Sequence, residues 1–103
     1  FIAVLEKNYH DESFNREQAA AELLISARSL NRRMSELFEY NFSEFLSRFR
    51  IEKSIPLLLE GNSILDTCLD VGFGTAAYFS TSFKKVMNLP PKKFVEQYNE
   101  TVA

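Results

Sequence analysis

Two stretches of this 103-residue chain repeat one pattern 49 positions apart, and that repeat limits the possible folds more than any other feature. Ala19 aligns with Cys68, Ser26 with Thr75, Leu30 with Phe79 and Met34 with Phe83. Each copy reads as a short helix with a small residue facing inward, then a tight turn. A Ser or Thr follows where an N-cap is wanted, and a second helix carries apolar residues four apart. This is the pattern of a helix-turn-helix. The small residue lets two helices cross closely. The cap starts the second helix cleanly, and the face opposite its apolar stripe stays free to touch something outside.

The rest of the chain is helical too. No segment sustains the period-2 alternation of a strand, so the fold class is all-α. Phe1, Leu5 and Tyr9 share one face of a first helix. Ser13 or Asn15 caps a short helix over 16–23, and Ser26 caps one running to Phe38. Asn41 or Ser43 opens the longest helix, 42–60, which Gly61 ends at a C′ position. Ser63 caps 64–71, with Asp66 in a capping-box position. Gly72 supplies a positive φ, Thr75 caps a helix to Met87, and Asn88 takes the left-handed C′ position. Pro91 opens a last helix to about Asn99. Pro56 removes one backbone bond inside the long helix and predicts a kink between Glu52 and Pro56. The expected organisation is a first subdomain, 1–41, a connector helix, 42–60, and a second subdomain, 61–103.

Composition sets limits on function. Apolar residues are 46% and charged residues 25%, enough to pack a core and to exclude general disorder. Ten of the fourteen aromatics are Phe, so small cores filled by large rings are expected. No apolar run is long enough for a membrane helix. One Cys and one His make neither an internal disulfide nor a zinc site by themselves. No Ser-His-Asp or Cys-His constellation or phosphate loop can be assembled, so no enzyme and no cofactor is expected. The net charge of −2 sits awkwardly with nucleic acid, but its distribution does not. Five arginines face three acids over 23–50, and four lysines stand with no acid over 72–95. Each copy of the repeat lies beside one positive block. Two such units, each beside positive charge, point to duplex DNA with the outer helix faces in the major groove.

The stretch "GNSILDTCLDVGFGTAAYFSTSFKKVMNLPPKKF" closely resembles the signature of the DNA-binding domain of AraC-type transcription regulators. It has the GF turn, the aromatic pair, the F-K-K segment and the proline before the last helix. "SARSLNRRM", "FSEFLSRFRIEKS" and "LLLEGNSI" match in order and spacing, so the resemblance covers nearly the whole chain. It implies seven helices, with two helix-turn-helix subdomains joined by one long helix. It also implies the C-terminal output domain of a longer bacterial, cytoplasmic regulator, an expectation that fits a chain opening on Phe1. Two departures stand out. Glu39 lies where the family ends its third helix with Gly, and Leu23 lies where the second turn has Gly72, so the two turns are expected to differ.

The outward positions of the first recognition helix are Ala27, Arg28, Asn31 and Arg32, with Arg33 at the flank. Arg bonds guanine bidentately and Asn reads adenine, so Arg28, Asn31 and Arg32 are the candidates for base readout. Ion pairing with Glu36 and Glu39 is the competing use of those arginines. On the second recognition helix Thr75, Ala76, Ala77, Ser80 and Thr81 face out. They offer methyl contact with thymine and hydroxyl contact with phosphate. Ser26, Arg33, Thr75, Lys84 and Lys85 are the phosphate candidates, with Lys92 and Lys93 behind them. Thus the first half is expected to specify and the second mainly to clamp. Tyr78 is expected to divide itself between core and phosphate. Arg50 is a structural or phosphate-side residue, with an ion pair as its alternative. Cys68 should be a buried small hydrophobe. The expected partner is double-stranded DNA, with RNA polymerase a further candidate, no membrane contact, and dimerisation through regions outside this chain. The alternative is an all-helical protein-interaction module with weak DNA binding or none.

Overall fold

Side-chain caps set the helix starts. In a computed structural model, which describes residues 1–102, Asn15, Ser26, Asn41, Ser63 and Thr75 each accept a hydrogen bond from the amide three residues on. They open α2 (Arg16–Glu22), α3 (Ala27–Leu37), α4 (Phe42–Leu59), α5 (Ile64–Asp70) and α6 (Ala76–Met87). α1 (Ile2–Asn8) precedes them and α7 (Pro91–Val102) follows, making seven helices and no strand among the described residues. At Asn15 the capping box is complete, because Gln18 Oε1 accepts in return from the Asn15 amide. Ser13 serves a different turn, donating from its amide and hydroxyl to Asp11 Oδ1. α7 runs three residues past the expected Asn99.

The turns show how the repeat is built. After α5, Phe73 donates to the Cys68 carbonyl and Gly72 to that of Leu69, with Gly72 at φ 94°. After α2, Ile25 donates to Ala20 and Leu24 to Ala21, with Leu24 at φ 59°. Both are Schellman closures. The two turns therefore share one closure, with Leu24, and not the expected Leu23, in the left-handed position that Gly72 holds, and they differ in length. By these bonds Ala20, not Ala19, is the partner of Cys68. The offset is 48 residues up to the turn and 49 after it, because Gly74 lengthens the second turn by one residue. The sequence alignment of Ala19 with Cys68 is corrected accordingly. α3 needs no glycine where Glu39 stands, since Phe38 leaves the helix in extended conformation. α6 ends as expected, on Asn88 at φ 66°.

α4 spans 18 residues, or about 27 Å. It stays helical through Pro56, and Glu60 still donates to the Pro56 carbonyl. Two cores form along it. Leu5, Phe14, Ala19, Leu30, Met34, Phe42 and Leu46 make the first. Ile51, Leu58, Cys68, Val71, Phe73, Phe79 and Phe83 make the second. Phe79 and Phe83 are fully buried, each worth about 1.5–3 kcal/mol of burial. Among the described residues, Tyr9 alone packs against both cores. The molecule is elongated, 48 × 24 × 22 Å.

Candidate nucleic-acid interface

α3 turns one stripe inward through Leu30 and Met34, both nearly inaccessible. At about 100° per residue, Arg28 and Arg32 lie on the opposite face, and both are exposed. Asn31 is half-buried on one flank, and Arg33 is exposed on the other. Arg33 borders an apolar groove of about 380 Å³ beside Ile2 and Leu37. The competing use of these arginines is not made. The salt bridges among the described residues are Lys7–Glu22, Arg16–Glu17 and Lys53–Glu6, so Glu36 and Glu39 hold neither Arg28, Arg32 nor Arg33. Ala27 is corrected from an outward position, being half-buried against the first core.

α6 repeats the register with different chemistry. Phe79 and Phe83 face inward, while Ala77, Thr81, Lys84 and Lys85 are exposed, and Ala76 and Ser80 are half-buried at the margins. Ala77 and Thr81 occupy the places of Arg28 and Arg32. Lys84 and Lys85 occupy the places of Ser35 and Glu36. Positive charge thus sits at the start of α3 and at the end of α6. The Thr75 hydroxyl oxygen is taken by the Tyr78 amide at 3.2 Å. The Ser26 hydroxyl accepts from the Ser29 amide and donates to Ser29 Oγ, so it is the more fully occupied of the two caps.

The two helices face one side of the molecule. A cleft of about 500 Å³ lies between Asn31 of α3 and Tyr78 of α6, floored by Ser43, Leu46 and Ser47 of α4. A second hollow of about 270 Å³ continues it past Ser47, Arg48, Tyr78 and Thr81 to Lys85. The two hollows share Ser43, Ser47 and Tyr78, so one groove runs along α4 from α3 to α6. Tyr78 has the core side expected of it, its ring meeting Phe73 edge-on at 5.2 Å, while its hydroxyl lies 3.3 Å from Ser47 Oγ. Arg16 borders the cleft with its Nε buried and unpartnered among the described residues. Sequence reasoning missed Arg16, Ser43 and Ser47. The i, i+4 spacing of the two serines, about 100° round α4 from Phe42 and Leu46, was the available signal.

Three further side chains are placed by their surroundings. Arg50 is buried and donates to the carbonyls of Tyr9 and Asp11, each at 2.8 Å, so it is structural and pairs with no carboxylate among the described residues. Burial pushes its pKa down, while Tyr78, Asp11 and Glu12 push it back up. Cys68 is buried as expected, and burial raises its thiol pKa. Arg48 lies over the Tyr40 ring, 4.2 Å from its centre.

Two helix-turn-helix units on one strut, with both outer helices turned to the same side, define a class: double-headed helical DNA-binding domains. A helix-turn-helix domain family model matches residues 19–97, and the chain belongs to that family, in its AraC type. Among curated relatives, the HTH-type transcriptional activator RhaS of Escherichia coli O139:H28 is 29% identical over 92 residues. The match covers 88% of this chain and 33% of that protein. The chain spans 7% and 56% of the length of two other relatives it matches. Among solved structures, the C-terminal domain of AraT, a response regulator from Geobacillus stearothermophilus, superposes with a TM-score of 0.85 at 29% identity. That match covers 92% of this chain and 79% of the other. The DNA-binding domain of AdpA, solved with a target DNA, shares the fold at a TM-score of 0.84 and 22% identity, covering 97% and 89%.

Proposed function

We propose that this domain binds double-stranded DNA sequence-specifically, as the output module of a bacterial transcription regulator. Residues 1–41 and 61–103 act as two reading heads about a connector, 42–60. One observation carries the proposal: two capped helices border one groove along α4, and the arginines of the first are free of carboxylates among the described residues. Successive major-groove faces lie about 34 Å apart, and a strut of about 27 Å plus the thickness of the heads matches that step. The DNA-binding domain of AdpA, which shares the fold, was solved with a target DNA, and this supports DNA as the partner.

In this reading Arg28, Asn31 and Arg32 contact base edges. Ala76, Ala77, Ser80 and Thr81 fit against the groove floor by methyl and hydroxyl contact. Ser26, Arg33, Thr75, Lys84 and Lys85 meet phosphates, and Arg16, Ser43 and Ser47 meet the backbone that crosses the cleft between the heads. The domain is a binding module without catalysis and works in the cytoplasm. RNA polymerase contact and dimerisation belong to the whole regulator.

The test is selection from randomised duplexes, followed by binding across a salt series. One enriched bipartite motif is expected, with log affinity falling linearly with log salt. Recovery of no motif, with affinity indifferent to salt, would replace the DNA reading with a protein-interaction module.

A further inference from the structure

Both bundles grip α4, but a single helix shared by two bundles does not fix their rotation about its axis. A second connection does. The α1–α2 loop leaves the first bundle and lies against the turn that opens the second recognition helix. Arg50 Nε donates to the Tyr9 carbonyl and Arg50 Nη2 to that of Asp11, each at 2.8 Å, so α4 holds the loop by its backbone. The Arg50 guanidinium lies 5.9 Å from the centre of the Phe73 ring, in the second core. Gly72 is where the fit is tightest: a Cβ there would run into the Tyr9 carbonyl and come within 2.9 Å of Arg50 Nε. A Cβ on Gly74 would meet the Glu12 carboxylate. Two glycines of the second head thus leave room for backbone and carboxylate of the first.

We propose that Arg50, the Tyr9–Glu12 loop and Gly72 form a clamp that fixes the angle between the two recognition helices, making Arg50 a positioning residue for DNA half-site spacing. The inference rests on the DNA reading above and adds to it a specificity determinant that touches no DNA. Rigid coupling has a measurable signature. Two heads held at one separation gain from simultaneous engagement only at one spacing, and lose that gain entirely when geometry forbids it. A loosened pair gains less at the right spacing and loses less at a wrong one.

The probe is the duplex enriched by the unmodified protein, with five base pairs inserted between its halves to turn the second groove away by about half a helical turn. For the unmodified protein the insertion should cost about 10²-fold in affinity or more. For Arg50→Met it should cost less than about tenfold, with weaker binding to the intact site and unchanged binding to a single half-site. Arg50→Lys, which keeps the charge but not the fork that spans two carbonyls, should fall between them. An insertion penalty in Arg50→Met equal to that of the unmodified protein would overturn the clamp and leave α4 alone responsible.

A second arm uses no DNA. Spin labels at Glu36→Cys on α3 and Gln97→Cys on α7, both exposed and with Cys68 buried, report the separation of the heads. The distribution should widen on adding Arg50→Met, or Arg50→Lys if the methionine variant does not fold. An unchanged distribution refutes the clamp, whereas failure to enrich any duplex refutes only the DNA reading.

Discussion

At the scale of single residues, α3 and α6 divide the work by chemistry. Arg28 and Arg32 each offer a planar fork that a lysine or threonine at the same register cannot imitate. Arg28→Ala or Arg32→Ala should therefore cost about 1–3 kcal/mol at one base position and relax the selected motif there. Lys84→Ala should weaken all duplexes alike and lower the salt slope by about one. Competition binding with single-base variants separates the two outcomes, and a sequence-dependent loss in Lys84→Ala would reverse the assignment. Within the core, the Thr67 hydroxyl is buried with no partner among the described residues. Its counterpart in the first head is Ala19, which has no such group. Thr67→Val keeps the shape and removes the unpaired oxygen, so chemical denaturation should show a gain of about 1 kcal/mol. A loss would mean that the hydroxyl is satisfied in solution.

At the scale of elements, the sequence made the helices legible and left their register partly hidden. Caps act locally: Ser26, Ser63 and Thr75 bond amides three residues away, so their helix starts could be read from one short window, whereas Asn41 and Ser43 competed for the start of α4. The apolar stripes made the outer faces of α3 and α6 legible for the same reason. The register of the repeat was not legible, because Ala19 and Ala20 are both small and both buried and only the turn bonds choose between them. The cleft was also out of reach, since Arg16, Ser43 and Tyr78 meet only through tertiary packing. The first turn carries a testable cost. Leu24 is 91% exposed and sits at φ 59°, so it bears left-handed strain with little burial in return. Strain of about 1–2 kcal/mol outweighs the extra chain entropy of glycine, about 0.5–1 kcal/mol. Leu24→Gly should raise stability by about 0.5–1 kcal/mol with DNA affinity unchanged. Destabilisation, read from thermal unfolding, would show that the leucine contacts matter more than its backbone.

At the scale of the whole molecule, most acidic residues lie outside α3 and α6, although Glu12 and Glu17 line the cleft between them. Asp11, Glu17 and Glu22 all lie in the first head, away from Arg28 and Arg32 along the chain, and all have pKa values below the ordinary carboxylate range. Hydrogen bonds from the Ser13 side chain and backbone lower Asp11, one from Arg16 lowers Glu17, and one from Lys7 lowers Glu22. Glu22 also accepts from Asn8, so this carboxylate ties α1 to α2. A carboxylate lowered on folding binds protons more weakly in the native state than in the unfolded one. Its contribution is therefore complete above the ordinary carboxylate range and is lost as pH falls through the lowered native values. All three groups are exposed, so each effect is small and salt-screened. Acid should loosen the first head before the second, whose core is built of Phe73, Phe79 and Phe83 and holds no such pair. Amide exchange followed from pH 7 to pH 3 should show protection falling first in α1 and α2, with α5 and α6 following. Simultaneous loss in all four helices would mean that the Arg50 bridge couples the heads more strongly than these carboxylates divide them.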